Sequence, residues 1–344
     1  AISVGDVNAD GFADFAISAS NLALPGRINT GVTYLVYGAA GNPNVNLTTF
    51  TSAHGIRIVG AERSQFGTFL DTADIDADGR AELLIGTGGL AIATGEVCIG
   101  FVMFINPSVL DGVDIDLTFD APASKGFRIF GKSGRTILGN AGDVNGDGFA
   151  DIAIGSSTTL SIDGGRNVGG VVYVLFGHNA LTAFPEVYLN SFVSSPTFGF
   201  RIIGDPGVER IGYFVGCAGD FNKDGISDII VGSYRASYSD RSEGGMVYVL
   251  SGHNTSTPFP LVRLDEMVSG KKGIRIIGAY SGDRAGASVA CIGDFNSLMW
   301  ALQKKVGDVI EVGGATGTVQ RLDLVDHRAG QLAGRALARP LRAG

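Results

Sequence analysis

Histidine, cysteine and tryptophan are scarce in this sequence, with 4, 3 and 1 copies among 344 residues. The cysteines, Cys98, Cys217 and Cys291, form an odd count without the spacing of a disulfide framework. The sequence has no Gly-x-Ser-x-Gly elbow, no metalloprotease histidine pair and no phosphate-binding loop. His178 and His253 each lie in a Gly-His-Asn turn, which favours a repeated turn contact over catalysis. We therefore predict a non-enzymatic chain whose cysteines are small core residues.

Positive charge is also scarce, because 26 Lys and Arg face 34 Asp and Glu for a net charge of −8. This balance argues against a nucleic-acid partner. Residues 83–110 carry a single charge, Glu96, but a glycine-rich turn from Gly86 to Gly95 divides them. That division favours two strands over a membrane span, and we predict no transmembrane helix. No signal peptide precedes Ala1, which opens inside a repeat and suggests a fragment or a processed product.

Acidic residues concentrate in a nine-residue pattern, Asp-x-Asn/Asp-x-Asp-Gly-x-x-Asp/Glu. Copies occupy residues 6–14, 74–82, 143–151 and 220–228, and a fifth copy begins at residues 294–296 and stops. The starting positions differ by 68, 69, 77 and 74 residues. A repeat of this kind predicts a tandem array of similar structural units.

The chemistry of one copy favours a hard cation, because side-chain oxygens at positions one, three, five and nine converge if the backbone wraps tightly. Glycine at position six permits the wrap, and several carboxylates suit calcium above magnesium. An EF-hand is excluded, since loop position twelve holds Ile17, Ile85, Ile154 and Val231 instead of Glu. The alternative is a set of turns that bind nothing. About four structural calcium ions are predicted, with side-chain ligands Asp6, Asn8, Asp10 and Asp14; Asp74, Asp76, Asp78 and Glu82; Asp143, Asn145, Asp147 and Asp151; Asp220, Asn222, Asp224 and Asp228; and with carbonyls of Phe12, Arg80, Phe149 and Ile226.

Each repeat predicts four short strands, which in the second repeat are Thr68–Ala73, Glu82–Ile85, Val97–Ile105 and Phe127–Phe130. The fourth strand has an apolar-Arg-Ile signature whose arginine we interpret as solvated or salt-bridged. Four-stranded units repeating around an axis predict an all-β fold, a β-propeller of about four blades. The predicted strand count is 3 + 4 + 4 + 4 + 1. Two interpretations remain: part of a larger propeller, which we favour, or a four-blade ring closed by the last strand.

These features resemble FG-GAP repeats, which build the N-terminal β-propeller of integrin α chains. The resemblance rests on the acidic loops, on Phe66-Gly67 and on strands such as Gly170–Gly177, and it covers residues 1–296. It implies a calcium-binding propeller, extracellular or at the cell surface, that acts in adhesion or protein recognition. The alternatives are a carbohydrate-binding propeller, with a glycan as partner, and an accessory domain of a secreted enzyme such as a phospholipase.

In integrins the calcium loops lie on the face opposite the ligand site. The resemblance therefore implies ligand contacts on loops that join second to third strands and on loops that join blades. The richest of these loops carries Tyr234, Arg235, Tyr238, Asp240 and Arg241, a mixture of aromatic and charged residues that is typical of interfaces. A solvated loop without function is the competing interpretation.

The repeat pattern is lost from Ser297, where Asp-Gly should follow Asn296. Residues 306–322 resemble the β-domain hairpin of small-conductance mechanosensitive channels, without any membrane helix. A frameshift, a gene-model error or a fusion would each explain residues 297–344. We predict that this tail is unrelated to the propeller and packs loosely or is disordered, so that proteolysis concentrates after Ser297.

Overall fold

The computed structural model of the chain is almost entirely β-structure. It describes residues 1–41, 44–91, 97–105, 114–117, 124–131, 136–157, 161–162, 166–167, 169–179, 184–204, 210–254, 262–264, 273–289, 309–312 and 315–318. In chain order the strands are β1 (Ile2–Gly5), β2 (Asp14–Ala19), β3 (Val32–Val36), β4 (Gly55–Val59), β5 (Leu70–Ala73), β6 (Glu82–Ala91), β7 (Val97–Met103), β8 (Ile115–Asp116), β9 (Gly126–Gly131), β10 (Thr136–Gly142), β11 (Asp151–Ser156), β12 (Ser161–Ile162), β13 (Arg166–Asn167), β14 (Val171–Leu175), β15 (Val187–Tyr188), β16 (Gly199–Ile203), β17 (Phe214–Gly219), β18 (Asp228–Ser233), β19 (Met246–Leu250), β20 (Val262–Arg263), β21 (Gly273–Ile277), β22 (Val309–Val312) and β23 (Ala315–Thr318).

Four antiparallel sheets follow one another along the chain, and each contains one acidic loop between its first two strands. Their main strands run β1-β2-β3-β4, β5-β6-β7-β9, β10-β11-β14-β16 and β17-β18-β19-β21. Among the described residues, two single turns of 3₁₀ helix span three residues each, at Leu47–Thr49 and Leu189–Ser191. The all-β propeller prediction is confirmed, and we call the four sheets blades one to four.

The first blade is more complete than the sequence suggested. The prediction gave it three strands, but Ile2–Gly5 pairs antiparallel with β2, with Ile2 opposite Ala16 and Ser3 opposite Phe15. The prediction was wrong because four residues are too short a stretch to reveal alternation. Blade one therefore has all four strands, and the count of 3 + 4 + 4 + 4 becomes 4 + 4 + 4 + 4 before residue 290. The fifth copy of the motif, at residues 294–296, lies outside the described residues.

Two bounds in the second blade differ from the prediction. Strand β6 continues from Glu82 to Ala91, past the predicted end at Ile85, and β7 ends at Met103, two residues earlier than expected. The extension occurs because Leu90 and Ala91 pair with Cys98 and Val97 after an irregularity in the ladder. Cys98 and Cys217 lie in strands β7 and β17 and are half-buried rather than fully buried core residues, while Cys291 lies outside the described ranges.

The hydrophobic core lies between neighbouring blades. One buried cluster joins Leu35 and Ile58 of blade one to Leu83 and Phe101 of blade two. A second cluster joins blades two and three, and a third joins blades three and four. Each sheet presents aliphatic side chains on both faces, so a blade buries its apolar surface only by packing against its neighbours.

A short parallel strand from the following repeat extends three of the blades at the outer edge. Strand β8 pairs with β4, β15 with β9, and β20 with β16. Before two of the added strands an acidic residue pairs with the fourth-strand arginine, as Asp114 does with Arg57 and Glu186 with Arg128. The salt-bridge interpretation of these arginines is confirmed for both, and the pairs fix adjacent repeats to one another.

The tail contributes a hairpin, β22 and β23, whose first strand pairs antiparallel with β21. These eight residues pair at the outer edge of β21, and a tail that packs loosely or is disordered stays a prediction. The domain boundary at residue 296 stays a prediction. Within the described ranges, no helix is long and apolar enough to cross a membrane.

Candidate metal centres

The four acidic loops share one backbone conformation. Glycine at position six has positive φ in each, from 86° at Gly79 to 94° at Gly148. The first aspartate accepts a hydrogen bond from the N–H of that glycine, with distances of 2.8 Å to 3.1 Å in the four loops. The aspartate at position five accepts a hydrogen bond from the N–H of position seven, at 2.8 Å to 3.0 Å. Carboxylates therefore organise the turn from inside, and positions one, three and five face a common centre.

Position nine closes each loop by binding its backbone. In blade one the Asp14 carboxylate accepts the N–H of Val7 at 2.8 Å and that of Gly38 at 2.7 Å. Asp151 and Asp228 make the equivalent pair of bonds. Each carboxylate oxygen has two lone pairs, so these bonds leave capacity for a cation. Metal ligation by position nine, and by the carbonyls of Phe12, Arg80, Phe149 and Ile226, stays a prediction.

The second loop differs from the others at position three. Loops one, three and four hold an asparagine there whose Nδ2 donates to the fifth-position carboxylate, at 2.8 Å from Asn145 to Asp147. Asp76 has no such donor, and carboxylate oxygens of Asp74, Asp76 and Asp78 lie within 4.8 Å of one another. The Asp74 Oδ1 atom is buried and accepts no hydrogen bond. A buried, uncompensated carboxylate oxygen is costly, and a divalent cation with oxygen ligands fits this donor set.

The closing glutamate of the second loop compensates for a missing β-bulge. In blades one, three and four a left-handed glycine precedes the loop, and the ladder is irregular at Gly5, Gly142 and Gly219. Blade two has Ala73 in this place, and Ala73 pairs with Glu82 in a regular ladder. The longer side chain of Glu82 still reaches the N–H of Ile75, at 2.9 Å. Residues 73 and 82 therefore form a matched pair.

We predict that Glu82→Asp destabilises the metal-free protein by about 1–3 kcal/mol, because the shortened side chain leaves the N–H of Ile75 unsatisfied. Adding Ala73→Gly should recover part of the loss, since the glycine permits the bulge seen in the other blades. Urea denaturation in the presence of EDTA measures both effects. Equal stability of the single and double variants would contradict the pairing of residues 73 and 82.

The closing carboxyls have raised pKa values. Burial, with a smaller effect from the neighbouring carboxylates of the loop, raises the pKa of Glu82 to about 8, against the lowering effect of the hydrogen bond from Ile75. Burial also raises the pKa of Asp14, Asp151 and Asp228, against the lowering effect of their backbone hydrogen bonds. A folded-state pKa above the ordinary value means that the protonated carboxyl favours the metal-free fold. That contribution is present below the ordinary pKa and is lost as the pH rises through the folded-state pKa.

We predict that calcium binding to the second loop releases a proton at pH 7, because Glu82 is then protonated in the metal-free protein and ligands must be deprotonated. Calorimetric titrations in buffers of different ionisation enthalpy measure the number of protons released. The Glu82→Gln variant should release about one proton fewer than the wild type. An identical proton count in the two proteins would contradict the raised pKa.

Backbone hydrogen bonds connect the loop of one blade to the next blade. The carbonyl of Asp74 accepts the N–H of Ala150 at 3.1 Å, and that of Ile75 accepts the N–H of His178 at 2.9 Å. Between blades three and four, the corresponding bonds run from Ser227 to Asp143 and from His253 to Val144. This confirms that His178 and His253 make turn contacts. The conformations of the second and third loops therefore affect the packing of the adjoining blades.

The predicted ligand loop lies at the opposite end of β18 from the metal loop. It contains stacked aromatic and cationic side chains: the Tyr213 and Tyr234 ring centroids are 4.0 Å apart, and the Arg235 guanidinium lies 5.4 Å from the Tyr234 centroid. Arg241 and Arg275 lie 5.5 Å and 5.1 Å from the ring centroid of Tyr238. The structure thus brings together four of the five predicted ligand residues, while Asp240 is exposed at the tip.

The segment that follows β21 supports this loop; the resemblance implies ligand contacts on such connections between blades but singles out no residue of this one. Tyr280 is 67% exposed, and Arg284 pairs with Glu243 at 2.8 Å. The backbone N–H of Arg284 donates to the carbonyl of Glu243, and that of Gly282 to Ser242. The connection after β21 therefore lies beside the predicted ligand loop. The signal that could have placed it is a pair of glycines, Gly278 and Gly286, which has the same spacing as Gly204 and Gly212 in the preceding blade.

The comparison with known families agrees with the loop geometry. A model described as "FG-GAP repeat" matches residues 138–175 and 214–250, which contain the first three main strands and the acidic loops of blades three and four. The chain contains FG-GAP repeats. This confirms the resemblance on which the propeller prediction rested.

Several relatives share the FG-GAP region. The phosphatidylinositol-glycan-specific phospholipase D of Bos taurus is 30% identical over 174 residues, which cover 49% of this chain and 19% of the relative. The same enzyme of Mus musculus is 25% identical over 231 residues, or 66% and 25%. Integrin alpha-V of Gallus gallus is 26% identical over 246 residues, or 68% and 20%. The chain spans about a fifth to a quarter of their lengths. These similarities lend no support to the channel resemblance of the tail.

Proposed function

We propose that this FG-GAP propeller is stabilised by calcium and acts outside the cell, in adhesion or protein recognition. The calcium assignment rests on the geometry of the second loop. Three carboxylates converge there, and the buried Oδ1 of Asp74 accepts no hydrogen bond. A cation removes both the mutual repulsion and the unsatisfied buried oxygen. The same backbone conformation in the other three loops extends the assignment to about four ions. No catalytic role is proposed for the chain.

The recognition surface that we propose is formed by the loop from Tyr234 to Glu243 and the neighbouring segment from Tyr280 to Arg284. Tyr238 and Tyr280 are exposed by 36% and 67%, and arginines flank the Tyr238 ring. Tyrosine and arginine are the residue types that most often carry binding energy at protein interfaces. Similarity to integrin alpha chains supports recognition as the function.

The test compares protein and glycan ligands for one preparation of the chain with calcium. Pull-down from extracellular matrix proteins and binding to a glycan array would be measured for the wild type, for Tyr238→Ala with Tyr280→Ala, and for Val193→Ala. Val193 is 72% exposed and lies in blade three, so it is a matched surface control. We expect protein binding that the tyrosine variant reduces by at least about tenfold, equal to 1.4 kcal/mol. Glycan binding alone would favour the carbohydrate alternative.

A second candidate function is that of an accessory domain in a secreted enzyme. The observation that favours it is the set of phospholipase D relatives, whose similarity extends over 49% and 66% of this chain in the two cases above. Under this function the propeller positions a catalytic part that the present sequence does not contain. The flanking gene sequence decides the question directly.

A further inference from the structure

The outer edge of the fourth blade is paired differently from the outer edges of the other three. Strands β4, β9 and β16 each receive two residues of the next repeat in parallel orientation. The paired residues hold equivalent places in the three strands, with Ile58 opposite Ile115, Ile129 opposite Val187, and Ile202 opposite Val262. Strand β21 instead receives β22, in antiparallel orientation, from a region where the repeat pattern is lost.

Two of the three parallel segments share a chemical character, while the third has Leu261 in place of an acidic residue before Val262. The first two combine an acidic residue with an adjacent aliphatic one, Asp114-Ile115 and Glu186-Val187. In both, the acidic side chain pairs with the arginine of the fourth strand. In blade four the register places Glu311 directly opposite Arg275, between Ile310 and Val312. Opposite charges at directly opposed positions favour strand pairing. Despite the reversed direction, β22 presents the same order of residue types to the arginine.

We propose that the outer edge of β21 is a strand-accepting site for an extended apolar–acidic–apolar segment, which residues 309–312 of this chain occupy in place of a fifth repeat. An unpaired sheet edge presents a row of N–H and C=O groups that any extended chain satisfies. In blades one and two the fourth-strand arginine binds the carboxylate of such a segment, and the register places Glu311 at that position in blade four. The hairpin β22–β23 is therefore an edge cap, which protects the last blade from pairing with another molecule.

Cysteine cross-linking tests the register in the full chain. Ile274 and Val312 are directly opposite, so Ile274→Cys with Val312→Cys should form a disulfide under oxidised glutathione, seen by peptide mapping as the loss of two hydrogens. The control pair, Ile274→Cys with Ile310→Cys, contains residues two positions apart in the register and should cross-link much less. No cross-link in the first pair, or equal cross-linking in both pairs, would overturn the proposal.

Hydrogen exchange tests the protective role without introducing cysteines. In the variant Ile310→Pro, amide exchange in residues 273–277 should accelerate by about two- to tenfold for each lost hydrogen bond. Gln320→Pro, outside the paired strands, should leave that exchange unchanged. Residues 199–203 of β16 provide an internal control. Unchanged exchange in 273–277 of the Ile310→Pro variant, with both controls behaving as expected, would contradict an edge cap. Both tests are run with calcium present and do not depend on ligand recognition.

Discussion

Removal of calcium should lower the melting temperature of this propeller more than any single surface substitution does. An ion that binds only the folded state contributes RT ln(1 + [L]/Kd), which is about 2.7 kcal/mol per site at a hundredfold excess over Kd. For a chain of this size, that corresponds to a fall of about 4 °C for each site emptied. Because buried clusters join neighbouring blades, and the second and third loops also bond to the next blade, the four sites should melt together. Calorimetry checks the result in about 5 mM EDTA, a concentration that exceeds those of the protein and the ion.

The variant Asp147→Ala should reproduce part of this loss in the presence of calcium. Its side chain also accepts the N–H of Phe149 and the Nδ2 of Asn145, so some destabilisation will persist in EDTA. The part of the destabilisation that is measured with calcium but not with EDTA is due to the lost metal ion. Asp240→Ala, which removes an exposed carboxylate outside the loops, is the matched control and should change little in either condition. A melting curve indifferent to chelator would show that the loops are turns without metal.

Gly199→Ala should be the most destabilising single substitution that leaves the metal loops intact. Gly199 begins the fourth strand of blade three with φ of 144°, and an added Cβ would lie 1.9 Å from the carbonyl oxygen of Val174. Gly55, Gly126 and Gly273 begin the other fourth strands in the same way. Relief would require the backbone of β14 to move away from its partner. Backbone strain of about 1–2 kcal/mol and overpacking of about 1–3 kcal/mol together predict a loss of several kcal/mol.

Gly216→Ala is the matched control for this prediction. Gly216 lies in a strand of the next blade, its φ is not positive, and the nearest atom to an added Cβ is the Asn140 oxygen at 3.8 Å. Its unfolding free energy should change by less than about 1 kcal/mol, because the methyl group fits without strain. Urea denaturation of both variants with calcium present measures the difference. Equal losses would mean that the close approach of Gly199 to β14 relaxes without cost.

The propeller could be predicted from the sequence because its signals are repeated. Four acidic loops at nearly constant spacing, each before an alternating strand, indicate equivalent units that pack on one another. The first strand of blade one could not be found in this way, because Ile2 to Gly5 has no preceding context. The added strands β8, β15 and β20 are two residues long, too short for any periodicity to reveal. They form because the outer edge of the preceding blade offers unpaired backbone groups, which is a tertiary effect.

For the metal centres, the sequence identified the types of candidate ligand residues but not the structural reason for the differences between the loops. It showed that Glu82 replaces an aspartate, yet the reason lies in the pairing of β5 with β6, where Ala73 keeps the ladder regular. The left-handed conformation at position four, with φ of 60° at Ala9 and 62° at Lys223, was also missed. Only the third loop has glycine at position four. The other three loops hold non-glycine residues with positive φ, so no repeated glycine marks this position in the sequence. The support of the ligand loop by residues 280–284 depends on contacts between segments far apart in sequence.

Isothermal titration of the purified, chelator-treated chain with calcium tests the central claim most directly. The account predicts saturable uptake of about four ions, since four loops share one backbone conformation and the same ligand types. Each of Asp10→Ala, Asp78→Ala, Asp147→Ala and Asp224→Ala should remove one ion from the total. Magnesium should bind more weakly, because the irregular loop suits the larger ion. Absence of any calcium uptake at millimolar concentration, from a chain that circular dichroism shows to be folded, would contradict the account.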